Sequence, residues 1–275
     1  MNFTLKKRAK ELLHELNVRA KKRFGQNFLV SERVLDKILQ EVFSSKPVKI
    51  LEIGPGLGFF LEMAIKNYNF EYVGVEIDPV FGNFLRERFS CDRILIITGD
   101  FLKTPLKDFS PVTVFGSIPY NLSSSIIEKF CYEKDEICHV FVILQKEFGM
   151  RVMANPGSRL FGRISILVQI FFKVEKLLEV SKNCFFPTPQ VDSVLLKLTP
   201  KSGVNLSPKT VGNLTRACFA ARRKTILNNV ELSEGTMRTF LREFFSLRRL
   251  GSLRPEQMPL EIWEELFQTF ESETS

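Results

Sequence analysis

The sequence predicts an α/β protein: a mostly parallel sheet with helices on both faces and an antiparallel hairpin at its edge, followed by a small all-helical C-terminal domain. Three features predict it. Short branched apolar runs alternate with helical patterns five times before residue 146, as in a parallel sheet covered on both sides. Two later strand-like runs, Val174–Val180 and Val191–Thr199, are separated by a Pro-rich loop and suit a hairpin at the sheet edge. Beyond Pro200 every periodic stretch is helical.

Taken in order, residues 4–22 read as a basic amphipathic helix that ends before Gly25. A helix follows from about Ser31 to Phe43, with Ser31 as its N-cap. "VKILEI" (Val48–Ile53) is a buried strand by its length and branching, and the turn "GPGLG" leads into a helix to about Asn67. "EYVGVEI" (Glu71–Ile77) is the second strand, and Asp78-Pro79 opens a helix to Phe89. "RILIIT" (Arg93–Thr98) and "VTVFG" (Val112–Gly116) are the third and fourth; a helix and then "HVFVILQ" (His139–Gln145) complete the series. After the hairpin, "KSGVNLSPKT" is a linker by composition, so a boundary is expected near residue 200, giving domains 1–200 and 201–275. Helices are expected over Pro208–Leu227, Thr236–Phe245 and Pro259–Thr269.

Composition excludes several classes. No apolar run approaches the roughly 18–20 residues that span a membrane, and the basic N-terminus lacks the apolar stretch of a secretory signal. Five cysteines, without a C-x-x-C pair, suggest free thiols in a reducing compartment, so the expectation is a cytoplasmic chain. With only two histidines, His14 and His139, neither a His-based metal site nor a Ser-His-Asp triad is expected. The net charge of +8 is unevenly spread. Residues 1–24 carry eight Lys or Arg against two Glu, residues 201–254 eleven against three, and residues 255–275 six Glu and no base. A neutral body with two basic flanks points to a polyanion-binding surface, against the plainer reading of solvated helix faces.

In an open α/β sheet, ligands bind at the carboxyl ends of the strands. Four strand ends here carry unusual residues. In "EIGPGLG" (Glu52–Gly58), Gly54, Gly56 and Gly58 allow a tight turn and close approach to a ligand, although such turns also serve simply to pack a helix on a strand. Glu76, 22 residues after Gly54, can accept from both hydroxyls of a ribose, or stand on the surface before the Asp-Pro helix start. Asp100 in "GDF" can accept from an adenine amine, or cap a turn. The fourth is Ser117-Ile118-Pro119-Tyr120, of the form [Asp/Asn/Ser]-x-Pro-[Tyr/Phe] found in enzymes that methylate exocyclic amines. An aromatic amine lends its lone pair to the ring and is a poor nucleophile. A side-chain oxygen and a backbone carbonyl can hold its hydrogens so that the lone pair faces a methyl donor, while Pro fixes the carbonyl and Tyr offers a stacking face. Base–aromatic stacking contributes about 1–3 kcal/mol. The competing reading is a Pro-terminated strand with a core Tyr.

Seven segments in order, "KRFGQNFL" (Lys22–Leu29), "LEIGPGLG" (Leu51–Gly58), "VEID" (Val75–Asp78), "GDF" (Gly99–Phe101), "IPYN" (Ile118–Asn121), "LQKEF" (Leu144–Phe148) and "FFPTPQVDS" (Phe185–Ser193), resemble the ribosomal RNA adenine N6-dimethyltransferases, most closely their bacterial small-subunit (16S) branch. The similarity runs from about Lys21 to at least Asn228. It implies a Rossmann-like methyltransferase domain that takes S-adenosylmethionine and dimethylates N6 of two adjacent adenosines in a loop near the 3′ end of 16S rRNA, in small-subunit biogenesis. It implies that Gln26, Asn27 and Leu29 form a lid over the donor and that Gly54 and Gly56 meet its methionine end. Glu76 would hold the ribose and Asp100 the adenine. Ser117, the Ile118 carbonyl, Pro119 and Tyr120 would receive the target adenine, Ser117 also being expected among the residues that bind the donor, and Phe185, in preference to Phe186, would sandwich the adenine. Arg222, Arg223 and Lys224, on an expected helix, would contact RNA, with Arg248, Arg249 and Arg254 extending that surface. No general base is required, since the product can lose its proton to water, and Gln145-Lys146-Glu147 reads as a strand end packing near the site in preference to an acid–base set. The family usually has Asn where this chain has Ser117, whose oxygen also accepts but on a shorter arm. The expected partner is the small-subunit precursor, with no membrane, no obligatory protein partner and a monomeric state. The rival readings are a 23S rRNA adenine N6-methyltransferase conferring antibiotic resistance, a non-catalytic RNA-binding assembly factor, and a nicotinamide oxidoreductase.

Overall fold

The computed structural model describes residues 4–20, 25–221 and 223–274. In chain order these form α1 (Leu5–Glu15), β1 (Phe28–Leu29), α2 (Glu32–Ser44), β2 (Lys49–Ile53), α3 (Phe59–Asn67), β3 (Glu71–Glu76), α4 (Pro79–Arg88), β4 (Ile94–Thr98), β5 (Val112–Ser117), α5 (Ser123–Tyr132), β6 (Ile137–Gln145) and α6 (Lys146–Val152). There follow α7 (Arg163–Phe171), β7 (Phe172–Val180), β8 (Phe185–Phe186), β9 (Ser193–Pro200), α8 (Pro208–Cys218), α9 (Ile226–Val230), α10 (Gly235–Leu247) and α11 (Leu260–Thr274). They fall into two compact units, Met1–Gly149 with Glu175–Pro200, and Met150–Val174 with Lys201–Ser275.

The first unit is built on a seven-stranded sheet of order β4-β3-β2-β5-β6-β9-β7. β2 pairs in parallel with β3 and with β5, β3 with β4, and β5 with β6, whereas β9 pairs antiparallel with β6. The chain therefore starts at β2, proceeds outward to β4, then returns to β5 on the other side. That reversal between β2 and β5 is the switch point at which such sheets bind ligands. β2 and β3 are buried on both faces, which explains their nearly continuous apolar runs. α2 buries Leu35, Ile38, Leu39 and Val42, the single stripe of an amphipathic helix on a sheet. Ser31 occupies its N-cap position, although its side chain makes no capping bond. A second, two-stranded antiparallel sheet pairs β1 with β8, Phe28 opposite Phe186 and Leu29 opposite Phe185.

Three expectations are revised. α1 ends at Glu15 instead of residue 22, because Asn17 turns left-handed (φ 49°) and the Asn17 and Val18 amides donate back to His14 and Leu13 carbonyls. The single helix expected over 208–227 is two. After Cys218 the chain breaks before α9, and the buried Asn229 side chain satisfies the break: its Oδ1 accepts from Ala221 N–H at 2.5 Å and its Nδ2 donates to the Lys224 and Thr225 carbonyls at 3.2 and 3.0 Å. A boundary at 200 alone also omits 150–174. α7 there is apolar almost all round, burying Ile164, Ile166, Leu167, Val168, Ile170 and Phe171, and such a helix needs cover on every side. α8 and α11 provide it.

Candidate active site

The first unit carries an open cleft lined by the carboxyl ends of β2, β3 and β5, the loop after β4, and the segment Gly25–Leu29. Gln26, Asn27, Leu29, Gly54, Gly56, Glu76, Asp100, Ser117 and Pro119 all line it. The strand-end expectations thus converge on one cavity.

The floor is the turn after β2. No atom lies within 4 Å of where a Cβ at Gly54 would stand, so the backbone is bare toward the cleft. Gly56 is left-handed (φ 57°), and a Cβ there would meet the Phe28 ring at 2.8 Å. Phe28 also meets Phe81 edge to face, 5.5 Å between centroids. Gly25 (φ 62°) plays the same part at the other end, where a Cβ would lie 2.9 Å from Pro119 Cβ. The segment Gly25–Leu29 is thereby seated on both the glycine turn and the Pro119 loop. β1–β8 pairing and the Val30 amide on the Cys184 carbonyl at 2.8 Å hold its far end. Gln26 Nε2 donates to Asp78 Oδ2 at 3.1 Å, so this segment is tied to the N-cap of α4 as well.

Glu76 is 4% exposed and already engaged: Oε2 accepts from Gly56 N–H and Oε1 from Asp78 N–H, both at 2.9 Å. Each carboxylate oxygen has a further lone pair, so Glu76 can shape the glycine turn and still accept from a ligand. Burial raises its pKa above the usual carboxylate range, offset in part by these backbone bonds. Asp100 realises both of its readings. Its Oδ1 accepts from Leu102 N–H at 2.9 Å as the cap of a single 3₁₀ turn, while the residue faces the cleft.

Ser117 is the last residue of β5, half-buried, on the cleft wall. The Ile118 amide donates to the Ile143 carbonyl at 3.1 Å, extending the β5–β6 ladder by one bond before Pro119 ends it. The Pro119 carbonyl accepts from Leu122 N–H and from Ser123 Oγ, whereas among the described residues the Ile118 carbonyl has no donor. Tyr120 is half-buried outside the cleft lining, its hydroxyl 3.5 Å from Ser193 Oγ. Phe185 is a correction: at 1% exposure it belongs to the core and offers no face to a base. Adjacent strand residues point to opposite faces, and here it is Phe186 that is partly exposed, with Lys10 Nζ 5.7 Å above its ring.

Two residues that sequence reasoning passed over join the site. Asp78 anchors Gln26, and Glu52 lines the cleft from within β2. Glu52 is 5% exposed, its Oε2 accepts from the Tyr72 hydroxyl at 2.5 Å, and burial pushes its pKa up to about 8. The available signal was an acid inside the apolar run "KILEI". Among the described residues the cleft is lined by the carboxyl groups of Glu52, Glu76 and Asp100 and by no Lys, Arg or His. Such a lining suits a cationic ligand. Among the described residues, no group of three or more His, Cys, Asp or Glu is placed to hold a metal ion, and no helix is long and apolar enough to cross a membrane.

In the second unit, Arg223 and Lys224 are exposed on the α8–α9 break, while Arg222 lies outside the described residues. Arg248 is committed to Glu265, Nε to Oε1 at 3.0 Å, and stacks on Phe244 at 3.7 Å; Arg249 and Arg254 are exposed. Lys146, in the first unit, forms an exposed ion pair with Glu179 at 2.7 Å, away from the cleft lining.

The family model described as ribosomal RNA adenine dimethylase matches residues 17–264. The chain is 33% identical over 262 residues to the ribosomal RNA small subunit methyltransferase A of Borreliella burgdorferi, covering 94% of this chain and 92% of that protein. It is 35% identical over 260 residues to the protein of the same name from Phytoplasma australiense, covering 90% of each. A solved dimethyladenosine transferase from Plasmodium falciparum superposes with a TM-score of 0.75 at 25% identity, covering 89% of this chain and 97% of that one. The 23S rRNA methyltransferase ErmE superposes with a TM-score of 0.62 at 22% identity, covering 88% and 100%, a likeness of fold alone.

Proposed function

Since the chain belongs to the ribosomal RNA adenine dimethylase family, we propose that it uses S-adenosylmethionine to dimethylate N6 of two adjacent adenosines in a loop near the 3′ end of small-subunit (16S) rRNA during subunit biogenesis. The observation that carries this reading is the cleft itself: an open cavity lined, among the described residues, by three carboxyls and no basic side chain, with Ser117 and Pro119 on its wall. The G-x-G-x-G spacing of Gly54, Gly56 and Gly58 differs from the G-x-G-x-x-G of dinucleotide sites, and such a site has no use for the Pro119-Tyr120 loop, which disfavours the oxidoreductase reading.

When bound, S-adenosylmethionine supplies an electrophilic methyl carbon. Glu76 would hold its ribose through lone pairs not spent on Gly56 and Asp78, and Asp100 its adenine amine through the oxygen that does not cap the turn. Gly54 leaves its approach clear, and Gln26, Asn27 and Leu29 would cover it. Toward the target base, Ser117 Oγ and the Ile118 carbonyl would each accept a hydrogen of the N6 amine, leaving the lone pair aimed into the cleft. Pro119 fixes that carbonyl's direction. The residues act by position and fixed dipoles, and the proton leaves to water afterwards. An adenosine in a helix must be turned out to reach the loop, at a cost of a few kcal/mol that is least for an unpaired base. Phosphate contacts from Arg223, Lys224 and the basic N-terminal flank would offset it.

Methyl transfer to small-subunit particles, compared with naked 23S RNA, tests the substrate. Transfer to the particles alone is expected. Transfer to the 23S RNA alone would assign the resistance-type activity, and transfer to neither, with RNA still bound, an assembly role.

A further inference from the structure

A pair of side chains that the transfer chemistry above does not use meets at the cleft: Glu52 lines it, and Tyr72, outside the lining, reaches Glu52. Glu52 stands within β2, and its Oε2 accepts from Tyr72 Oη at 2.5 Å. Tyr72, 1% exposed on β3, is in register with Ile50, and it is Gly74 that stands opposite Glu52. Tyr72 and Gly74 share a face of β3, so the ring must lie along the strand, over Gly74, to reach Glu52. The missing side chain makes the room: a Cβ at Gly74 would lie 3.0 Å from Tyr72 Cε1 and 2.9 Å from Pro55 Cγ in the glycine turn. Tyr72, Gly74 and Pro55 thus fix one another and hold the Glu52 carboxyl at the cleft wall.

The groups around Glu52 favour a guest cation. From β3 it faces Tyr72 and Glu76, and across the cleft lies Asp100. Its β5 neighbour Phe115, the α3 residues Phe59 and Phe60, and Gln26 and Asn27 of the Gly25–Leu29 segment carry no charge. Burial disfavours the Glu52 anion most, the Tyr72 hydroxyl favours it, and Glu76 disfavours it. A cation brought into the cleft removes the two unfavourable effects at once.

We propose that Tyr72 is a positioning residue for the methyl donor: acting through Glu52, it holds a buried carboxyl that gives up its proton when the cationic ligand enters, so that donor binding releases one proton to solvent. This deepens the reading of the cleft as a donor site and rests on it. No bond is made or broken except the Glu52 O–H, whose proton passes to buffer as the carboxylate takes the ligand's charge.

The test is calorimetric titration of S-adenosylmethionine into the full chain in buffers of different ionisation enthalpy, with adenosine as the uncharged probe. Near-stoichiometric proton release is expected with the cationic ligand and none with adenosine. Donor affinity should rise about tenfold per pH unit until pH approaches the carboxyl's value of about 8. Tyr72→Phe should move that profile to higher pH and weaken binding at neutral pH roughly tenfold or more, and Glu52→Gln should flatten it. A Tyr72→Phe profile that superposes on the parent's, or undiminished proton release by Glu52→Gln, overturns the proposal. Should either variant fail to fold, the infrared band of a protonated carboxyl in the parent protein decides. It should vanish on adding S-adenosylmethionine but not adenosine, and its persistence counts against the proposal. Absence of any S-adenosylmethionine binding would remove the functional reading too, whereas binding without proton release removes this inference alone.

Discussion

A carboxyl group inside a parallel strand has a cost that changes with pH, and Glu52 makes that cost measurable. Its pKa rises from 4.5 to about 8 on folding, so the folded ligand-free protein binds this proton more tightly than the unfolded chain does. The resulting stabilisation is complete below about pH 4.5 and is lost as pH rises toward 8. Glu52→Gln, which has no such proton, should therefore gain stability on the parent between about pH 5 and pH 8, seen as a widening difference in Tm. A difference independent of pH would show that Glu52 does not titrate this way. Gly56→Ala joins a left-handed backbone, worth about 1–2 kcal/mol, to a clash with Phe28. It should lower Tm and weaken donor binding, read by titration of the folded variant; donor affinity equal to the parent's would place the donor away from this turn. Ser117→Ala should slow methyl transfer while leaving donor affinity nearly unchanged; equal losses in both would move Ser117 from the base to the donor. At this scale the strand-end residues Ser117, Glu76 and Asp100 were legible because topology alone puts strand ends at one rim. Phe185 was not, since which face a two-residue strand shows to the core depends on its pairing with β1, a distant segment.

Elements carry their own lessons. The helical period of residues 208–227 is real, yet the helix stops at Cys218 because the buried Asn229 amide offers the backbone three side-chain hydrogen bonds that outcompete continuation. A period count cannot see a partner that lies beyond the break. The consequence is that Arg223 and Lys224 sit on a braced turn, exposed, instead of along a helix face. Arg223→Glu with Lys224→Glu should weaken RNA binding at fixed salt and reduce its salt dependence by about one unit of slope for each phosphate no longer neutralised, with donor binding unaffected. Asn229→Ala leaves backbone groups of the break unsatisfied, at about 1–3 kcal/mol, and should weaken RNA binding in the same direction through disorder of that turn. RNA affinity unchanged in both variants would place the RNA elsewhere. The Gly25–Leu29 segment is the second such element. Its β1–β8 pairing was invisible in sequence, because two-residue strands have no period, whereas its glycine and its polar residues were visible as a break after a basic helix.

For the molecule as a whole, charge is divided between tasks. A chain of net charge +8 keeps every basic side chain out of the described lining of its cleft and puts three carboxyls there. RNA binding should consequently fall steeply with salt while donor binding changes little, the two sites being read by different physics. The alternation of strands and helices made the parallel sheet and its edge legible, since each buried strand shows itself as a branched apolar run. The assignment of residues 150–174 was not legible, because an all-round apolar helix such as α7 fits any core that will cover it. The most direct measurement of the central claim is mass-spectrometric mapping of small-subunit RNA from particles treated with this protein and S-adenosylmethionine. The expected result is two adjacent N6,N6-dimethyladenosines in one loop near the 3′ end, lost when Ser117 and Tyr120 are both replaced by Ala. Unmodified small-subunit RNA, with the donor bound and the particles competent for a related enzyme, would contradict it.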